Sequence, residues 1–359
     1  MERALTHDEE TWASEQLVLC RDERHGLRAV IAIDDTTLGP GLGGVRRRAY
    51  ADDAAAIFEC RRLAAAMTRK NALAELPYGG AKAVILDDGP VADRAALMRS
   101  FGRFVARTGG AYVPGVDMGT TTADLAAIGA AGVAVSCAQE DPSPWTALGV
   151  AAAIVAAVEQ LDGRDGIDGA TVLVQGAGHV GDALARDLAA RGARLLVADV
   201  DAARAQALAA AVGGAVVPAE EALGTPCDVL APCAVARVVS AATVDRLACR
   251  VVAGAANDTL ATRADAERLA ARGIAYVPDF VANAGGVVQI DALARGRDEA
   301  RLRADVLAIG ARVRGLLEEA AASGETALTV AERRAAGILA AARERRPEGR
   351  TPTATAAGA

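Results

Sequence analysis

Histidine is almost missing from this 359-residue chain, which holds only His7, His25 and His179. Hydroxy-acid and alcohol oxidation commonly rest on a histidine base held by a second group. His7 and His25 lie in the N-terminal stretch and His179 inside a glycine-rich turn, none with an evident partner, so that chemistry is disfavoured. Cysteine is sparse and unpatterned. Cys20, Cys60, Cys137, Cys227, Cys233 and Cys249 form no CxxC pair and have no histidine neighbours, which reads as buried thiols and not as a metal site. The net charge is −7 and no stretch gathers basic residues on one face, so nucleic acid is not an expected partner. The arginines of 333–346 are interleaved with alanine and glutamate, as on the solvated side of a helix. Of the residues, 52% are hydrophobic, yet much of that is alanine, and no uninterrupted apolar run approaches the roughly 18 residues of a membrane span. Met1-Glu2-Arg3 leads into Asp8-Glu9-Glu10 with no apolar core, unlike a secretory signal, and the expected compartment is the cytoplasm.

The length favours two domains. Residues 16–34 alternate loosely around a charged turn at 22–26, the pattern of a strand pair. A helix is expected over 52–67, opened by Asp52 and Asp53, with Ile57, Cys60, Leu63, Ala64 and Met67 at helical spacing. A short strand at 83–86 follows Lys82, then a helix near 91–107, a strand end at Tyr112-Val113 before the loop holding Asp117, and helices over 122–131 and 146–161. From 170 onward the rhythm is regular: strands at 171–175, 194–199, 228–231, 251–253 and 274–277, helices at 179–190, at 201–211 and between the later strands. Such alternation implies a parallel sheet covered on both faces. Helices near 298–321 and 327–344 follow, and the tail 351–359 lacks the apolar content to order itself. The expected fold class is α/β in two domains. An N-terminal α/β catalytic domain spans 1–142, a Rossmann dinucleotide-binding domain 143–325, and a helix from 326 returns to the first domain, with the substrate cleft between the two.

Gly176-Ala177-Gly178-His179-Val180-Gly181 is the cofactor motif. A lone GxGxxG is weak, but here a strand leads in, a helix follows, and Asp199 ends the next strand. Gly176 permits the tight turn, Gly178 lets the backbone approach a pyrophosphate, and Gly181 allows close helix–strand packing. The diphosphate would sit on the helix N-terminus, where unpaired N–H groups favour anions. Asp199 would accept from the ribose hydroxyls and repel a 2′-phosphate, which selects NAD over NADP. The plainer alternative is a strand–turn–helix that merely needs small residues.

Positive charge is carried by arginine. The only lysines, Lys70 and Lys82, fall in one segment that ends Pro77-Tyr-Gly-Gly-Ala-Lys82, which presents the second lysine on flexible backbone. Lysine sheds its proton when desolvated or placed beside another cation, and arginine does not. Two lysines in one pocket would divide the work: one holds a carboxylate and the other acts as a base. A helix-end lysine and a loop lysine that never meet is the alternative.

Seven segments occur in order: Thr36-Thr-Leu-Gly-Pro-Gly-Leu-Gly-Gly44, Met67-Thr-Arg-Lys-Asn71, Gly79-Gly-Ala-Lys82, Val116-Asp-Met-Gly-Thr120, Cys227-Asp-Val-Leu-Ala-Pro-Cys233, Gly254-Ala-Ala-Asn257 and Pro278-Asp-Phe-Val-Ala-Asn-Ala-Gly-Gly286. Together they resemble the leucine/valine/phenylalanine branch of the amino-acid dehydrogenase superfamily that also contains glutamate dehydrogenase, over about residues 30–295. The resemblance implies that Lys70 binds the substrate α-carboxylate, that Lys82 is the base activating water, and that Asp117 shuttles the proton of the amino group. It places Thr146, Ala255 and Asn257 beside the nicotinamide, and Gly43, Gly44, Met67 and Asn283 around the substrate. It also implies a homo-oligomer, commonly a dimer or octamer. Ala81 stands where the family usually has a third glycine, Val45 where threonine is usual, and Asp258 where a second asparagine follows Asn257, adding negative charge near the cofactor.

Leu42 occupies the place where the glutamate enzymes have a lysine for the side-chain carboxylate, and Ile290 matches the position of their serine. An apolar pocket strands a glutamate carboxylate at a cost of several kcal/mol, so glutamate is excluded. Leu42, Val287 and Ile290 resemble the leucine and valine enzymes, whereas Gly115 resembles the phenylalanine enzymes, which use glycine to admit a ring. Branched-chain substrates are favoured and aromatic ones are the alternative. Two other classes compete: a Rossmann oxidoreductase acting on hydroxy acids, and a non-catalytic NAD-binding regulator. The first lacks its histidine base, and the second would be expected to have lost Lys70, Lys82 or Asp117.

Overall fold

The computed structural model describes residues 14–136, 141–163, 165–234 and 236–345. His7, Cys137, the acidic N-terminal stretch and the 351–359 tail lie outside the described residues. Two compact units are present, Met1–Glu140 with Ala335–Ala359, and Asp141–Arg334.

The first unit opens with strands β1 (Gln16–Asp22) and β2 (Leu27–Asp35), antiparallel around a 3-10 turn at Glu23–His25. Strand β3 (Gly41–Arg48), helix α1 (Asp53–Leu73), β4 (Gly79–Leu86), α2 (Arg94–Ala106), β5 (Tyr112–Val116) and α3 (Thr122–Gly129) follow. The sheet order is β1-β2-β4-β3-β5. β2 runs antiparallel to β4, while β4, β3 and β5 are mutually parallel. Asp52 caps α1 by accepting from the Ala55 N–H, which satisfies one of the orphan donors of the first turn. Ala56, Cys60 and Ala64 of α1 cover one face of the sheet, against Val30, Ala32 and Val84. Leu97, Met98, Phe101, Leu125 and Ile128 of α2 and α3 cover the other, against Ile31, Ile33, Val45, Ala81, Ala83 and Ile85. Each large aliphatic side chain buried in this way contributes about 1.5–3 kcal/mol.

Three differences from the sequence expectations matter. Lys82 is not on flexible backbone but within β4, a central strand buried along its whole length. Helix α1 continues past Met67 to Leu73, so Lys70 lies in its last turn. The glycine-rich segment before Arg46 is strand β3, which sequence alone did not reveal. The glycines of this region answer to close approach and not to turns: a Cβ at Gly80 would fall 2.1 Å from Thr68 Oγ1 on α1, and one at Gly43 would fall 1.7 Å from the Ala81 carbonyl oxygen. Neither position has room for a Cβ, because α1 occupies its place at Gly80, with Thr68 N at 2.2 Å as well, and β4 backbone occupies it at Gly43.

In the second unit α4 (Ser143–Asp162) precedes β6 (Thr171–Gln175), α5 (His179–Ala190), β7 (Arg194–Ala198), α6 (Ala202–Val212), β8 (Ala215–Val216), β9 (Val229–Pro232) and β10 (Val251–Val252). Then come α7 (Ala264–Ala271), β11 (Ala275–Tyr276), α8 (Asp279–Ala282), α9 (Gly285–Ala294), α10 (Glu299–Ser323) and α11 (Ala327–Arg345). The sheet is parallel throughout, in the order β11-β10-β9-β6-β7-β8. A helix was expected between every later pair of strands. Among the described residues, only a 3-10 turn at Val244–Arg246 lies between β9 and β10. Helix α4 is long and apolar enough to cross a membrane, but most of its apolar window is packed inside the protein, as in a core helix. The α11 residues from Ala335 onward belong to the first unit, where Arg343 ion-pairs with Asp35 and donates to Thr37 Oγ1 at 3.2 Å.

Candidate active site

Three parallel strands build the charged centre of the first unit. β3 lies between β4 and β5, with Val45 opposite Ala83 on one side and Val116 on the other. Strand alternation then puts Lys82, Gly44 and Gly115 in one row beneath α1, with Val84, Arg46 and Asp117 in the next. Lys82 Nζ reaches Asp117 Oδ2 at 2.5 Å. Gly44 is what lets them meet, because a Cβ there would stand 2.7 Å from the Asp117 Cβ. Gly43 and Gly44 are thus required by the strands themselves, whatever they also offer a substrate.

Asp117 sits in a web of donors. Arg46 Nε lies 3.1 Å from Oδ2, and the Met118 N–H donates to Oδ1 at 2.7 Å. Thr120 Oγ1 accepts from the Asp117 N–H at 3.0 Å and lies 2.8 Å from the Val45 carbonyl, pinning the chain just past β5. Burial by itself would raise the Asp117 pKa, but the charges of Lys82 and Arg46 outweigh it and hold the carboxyl below its ordinary value. Lys70 and Lys82 are 8% and 7% exposed, so each ammonium is largely desolvated. Beside Lys70, Asn71 donates through Nδ2 to the Gly79 carbonyl at 2.6 Å, which ties the last turn of α1 to the start of β4. Leu42 is buried on β3, and Met67 is half-buried one helical turn before Lys70. A Cβ at Gly115 would stand 2.7 Å from the hydroxyl of buried Ser136.

Two of the departures are absorbed locally. Val45 and Ala81 are fully buried in the core on the α2 side, where an apolar residue and an extra methyl are both filling. The third, Asp258, does not present an unbalanced charge: Arg237 Nε approaches its Oδ2 at 3.1 Å and the Arg237 N–H donates to its carbonyl at 2.6 Å. The histidines also differ from expectation, since partners exist. His25 Nδ1 lies 2.7 Å from Asp22 Oδ2, and His179 Nδ1 lies 3.7 Å from Asp141 Oδ2. His25 does not fit the base of this centre. His25 precedes Leu27, five residues along β2 from Ala32, the partner of Lys82, which is about 17 Å at strand spacing. His179 belongs to the second unit and is exposed. Of the cysteines, Cys20, Cys60 and Cys249 are buried and Cys227 and Cys233 half-buried, all free thiols.

In the second unit β6, the glycine turn and α5 take the arrangement expected for a dinucleotide cradle. Gly176 has φ +111°, in the region open to glycine. A Cβ at Gly181 would fall 1.8 Å from the Gly176 carbonyl oxygen, so helix and turn pack backbone to backbone. Gly178 caps α5 with no side-chain hydrogen bond, and a Cβ there would meet no protein atom within 4 Å. The start of α5 thus has room beside it and no side-chain cap, an arrangement that suits a diphosphate. His179 and Val180 form the first turn of α5. Asp199, just past β7, accepts from the Ala177 N–H at 2.7 Å and the Asp201 N–H at 2.8 Å. These residues fit a dinucleotide. Thr146 lies in the first turn of α4 and donates to the Pro142 carbonyl at 3.1 Å. Asn283 Nδ2 donates to the Ala255 carbonyl at 3.1 Å and to Asn257 Oδ1 at 3.0 Å, which gathers those three positions. Val287 and Ile290 are one turn apart on α9.

Sequence reasoning missed Arg46, which touches Asp117, and Glu59, which holds Arg46 from the other side. The available signal was strand alternation: from Gly44 to Arg46 is one step along the same face of a covered strand.

One unit thus carries a glycine turn that fits a dinucleotide and the other a desolvated lysine–carboxylate pair, features each compatible with an oxidoreductase. Residues 14–131 match the model of the Glu/Leu/Phe/Val dehydrogenase dimerisation domain, and 197–294 that of the Glutamate/Leucine/Phenylalanine/Valine dehydrogenase domain. The chain is 36% identical to the leucine dehydrogenase of Thermoactinomyces intermedius, with 91% of each chain covered. It is 37% identical to the valine dehydrogenase of Streptomyces albus, over 92% of this chain and 94% of that one. The crystal structure of L-tryptophan dehydrogenase from Nostoc punctiforme superposes with a TM-score of 0.79 at 34% identity, covering 93% of this chain and 98% of the other. The protein belongs to the glutamate/leucine/phenylalanine/valine dehydrogenase family and is an oxidoreductase acting on amino acids. That family generally uses a nicotinamide cofactor.

Proposed function

We propose that the protein catalyses reversible, NAD-dependent oxidative deamination of an apolar L-amino acid, with leucine, valine and isoleucine favoured, to the 2-oxo acid, ammonium and NADH. The observation that carries this reading is the buried Lys82–Asp117 pair at 2.5 Å. It joins a proton donor and a proton acceptor at one place in a desolvated site, as stepwise proton transfer requires.

Lys70 holds the substrate α-carboxylate through its ammonium. A nicotinamide, when bound at the glycine turn, would supply the acceptor for the hydride of Cα. With the substrate at the iminium level, Lys82 in its neutral form takes a proton from water as the oxygen bonds to the former Cα. Asp117 relays that proton from Lys82 to the nitrogen; the C–N bond breaks as Lys82 takes the hydroxyl proton, and the same relay passes it to the departing ammonia, so that ammonium and the 2-oxo acid leave with Lys82 neutral and Asp117 ionised again. Asp199 would receive the ribose hydroxyls of the bound cofactor and disfavour a 2′-phosphate. A homo-oligomer belongs to the same reading, supported by the dimerisation-domain match of residues 14–131.

The apolar side chains of Leu42, Val287 and Ile290 support an aliphatic substrate. Gly115 was the sequence feature favouring a ring, but the position its Cβ would take is next to Ser136 Oγ, so the glycine has a reason other than admitting a ring. Aromatic substrates remain the second reading, favoured by the likeness to L-tryptophan dehydrogenase. NADH formation with L-leucine, L-valine, L-phenylalanine and L-tryptophan, compared between wild type and Lys82→Ala, is the test. The expected result is wild-type turnover, fastest with a branched chain, and its loss in the variant. NAD binding without turnover of any amino acid would overturn the reading in favour of a regulator.

A further inference from the structure

The Lys82–Asp117 pair is part of a larger balanced cluster. Arg46 touches Asp117 with two nitrogens, Nε to Oδ2 at 3.1 Å and Nη2 to Oδ1 at 3.5 Å. Its remaining Nη1 reaches Glu59 Oε1 on α1 at 2.5 Å. Glu59 also accepts from the Tyr50 hydroxyl at 3.2 Å and lies 3.8 Å from Arg48. Two cations and two carboxylates, drawn from β3, β4, α1 and the end of β5, thus neutralise one another at a largely buried place. A carboxylate left alone rotates and offers either oxygen; a guanidinium fork fixes its plane.

We propose that Arg46, anchored by Glu59, is a positioning residue for the deamination: it turns the Asp117 carboxylate so that Oδ2 faces Lys82. The inference rests on the reading of Lys82 and Asp117 given above. Arg46 acts only through Asp117, and the fork requirement explains why arginine stands there. The groups facing the pair are Arg46 from β3, Glu59 and Cys60 from α1 and Tyr112 from β5, with Tyr50 and Arg48 beyond Glu59. Removing a positive charge beside a titrating pair makes it hold its proton to higher pH, so the acid limb of the rate profile moves up whichever partner titrates.

The test compares kcat, KM and the pH profile of wild type, Arg46→Gln, Arg46→Lys and Glu59→Gln in the intact protein. Melting and NADH binding serve as checks of folding. In Arg46→Gln, kcat falls on the order of 10- to 100-fold, KM for the amino acid changes less than about threefold, and the acid limb rises by about one pH unit or more. Arg46→Lys restores the limb but recovers kcat only in part, since an ammonium supplies charge without the fork. Glu59→Gln lowers kcat without raising the limb. Should Arg46→Gln fail to fold, Arg46→Lys and Glu59→Gln carry the test: unaltered kcat in both overturns the inference. It is likewise overturned if a folded Arg46→Gln keeps its kcat and profile while wild type deaminates amino acids. A wild type inactive on every amino acid overturns the underlying reading and this inference with it, a result distinguishable because it precedes any mutation.

Discussion

Asparagine in place of Asp117 keeps the side chain's shape and deletes its charge. The change strands Lys82, 7% exposed, and leaves buried Arg46 with Glu59 as its remaining carboxylate contact among the described residues. Removing one partner of a buried pair costs about 3–5 kcal/mol. The Asp117 side chain retains 15% exposure, which places the loss at the lower end, about 3 kcal/mol. For a unit of this size that lowers Tm by roughly 6–12 °C. The pH dependence has a definite sign. The folded-state pKa of Asp117 is depressed below the ordinary 3.8, so its stabilisation is complete above that value and fades as pH falls toward the folded one. Urea denaturation should therefore give a wild-type-minus-variant difference that is flat from about pH 8 to about pH 5 and closes only below about pH 4. Lys82→Met combined with Asp117→Leu should recover most of the loss, because no buried charge is then left unpaired. A loss under about 1 kcal/mol, or a difference that already shrinks between about pH 7 and pH 5, would refute the reasoning.

Three further outcomes follow from single positions. Gly178→Ala should leave the melting temperature near wild type while weakening NADH binding at least about tenfold, whereas Gly181→Ala, whose methyl collides with the Gly176 carbonyl, should lower both; equal melting for the two would contradict the packing described. Asp199→Ala should raise the ratio of NADP to NAD use in kcat/KM by about tenfold or more, since one charge near the ribose is removed. An unchanged ratio would take Asp199 out of cofactor selection. Gly115→Ala presses on Ser136 Oγ and not on open space, so the ratio of leucine to phenylalanine turnover should shift less than about threefold; a large swing toward leucine would show that Gly115 does border the side-chain pocket.

The cradle of the second unit was legible because every part of it is local. The strand at Thr171–Gln175 and the helix at His179–Ala190 stand where the apolar pattern put them. The first unit was harder. Gly79-Gly80-Ala81-Lys82 reads as flexible backbone in sequence, yet its glycines answer to Asp35 backbone and to Thr68 of α1, neither of which is a neighbour in the chain. Glycine signals the need for a missing Cβ without saying whether conformation or crowding imposes it. The turn between β9 and β10 misled for the opposite reason, because alternation of strands and helices is a habit of folds and not a constraint on each link.

Local periodicity and the residue inventory determined the strand–turn–helix of the cofactor motif, the capped start of α1 and the singling out of two lysines in a chain of arginines. Strand register decided the rest. It made Gly44 the gap across which Lys82 meets Asp117, and it turned Arg46, a surface charge by any local criterion, into the link between Asp117 and Glu59. Interactions among residues distant in sequence depend on which strands pair and in what alignment, and that alignment is set by the whole sheet and the helices that cover it.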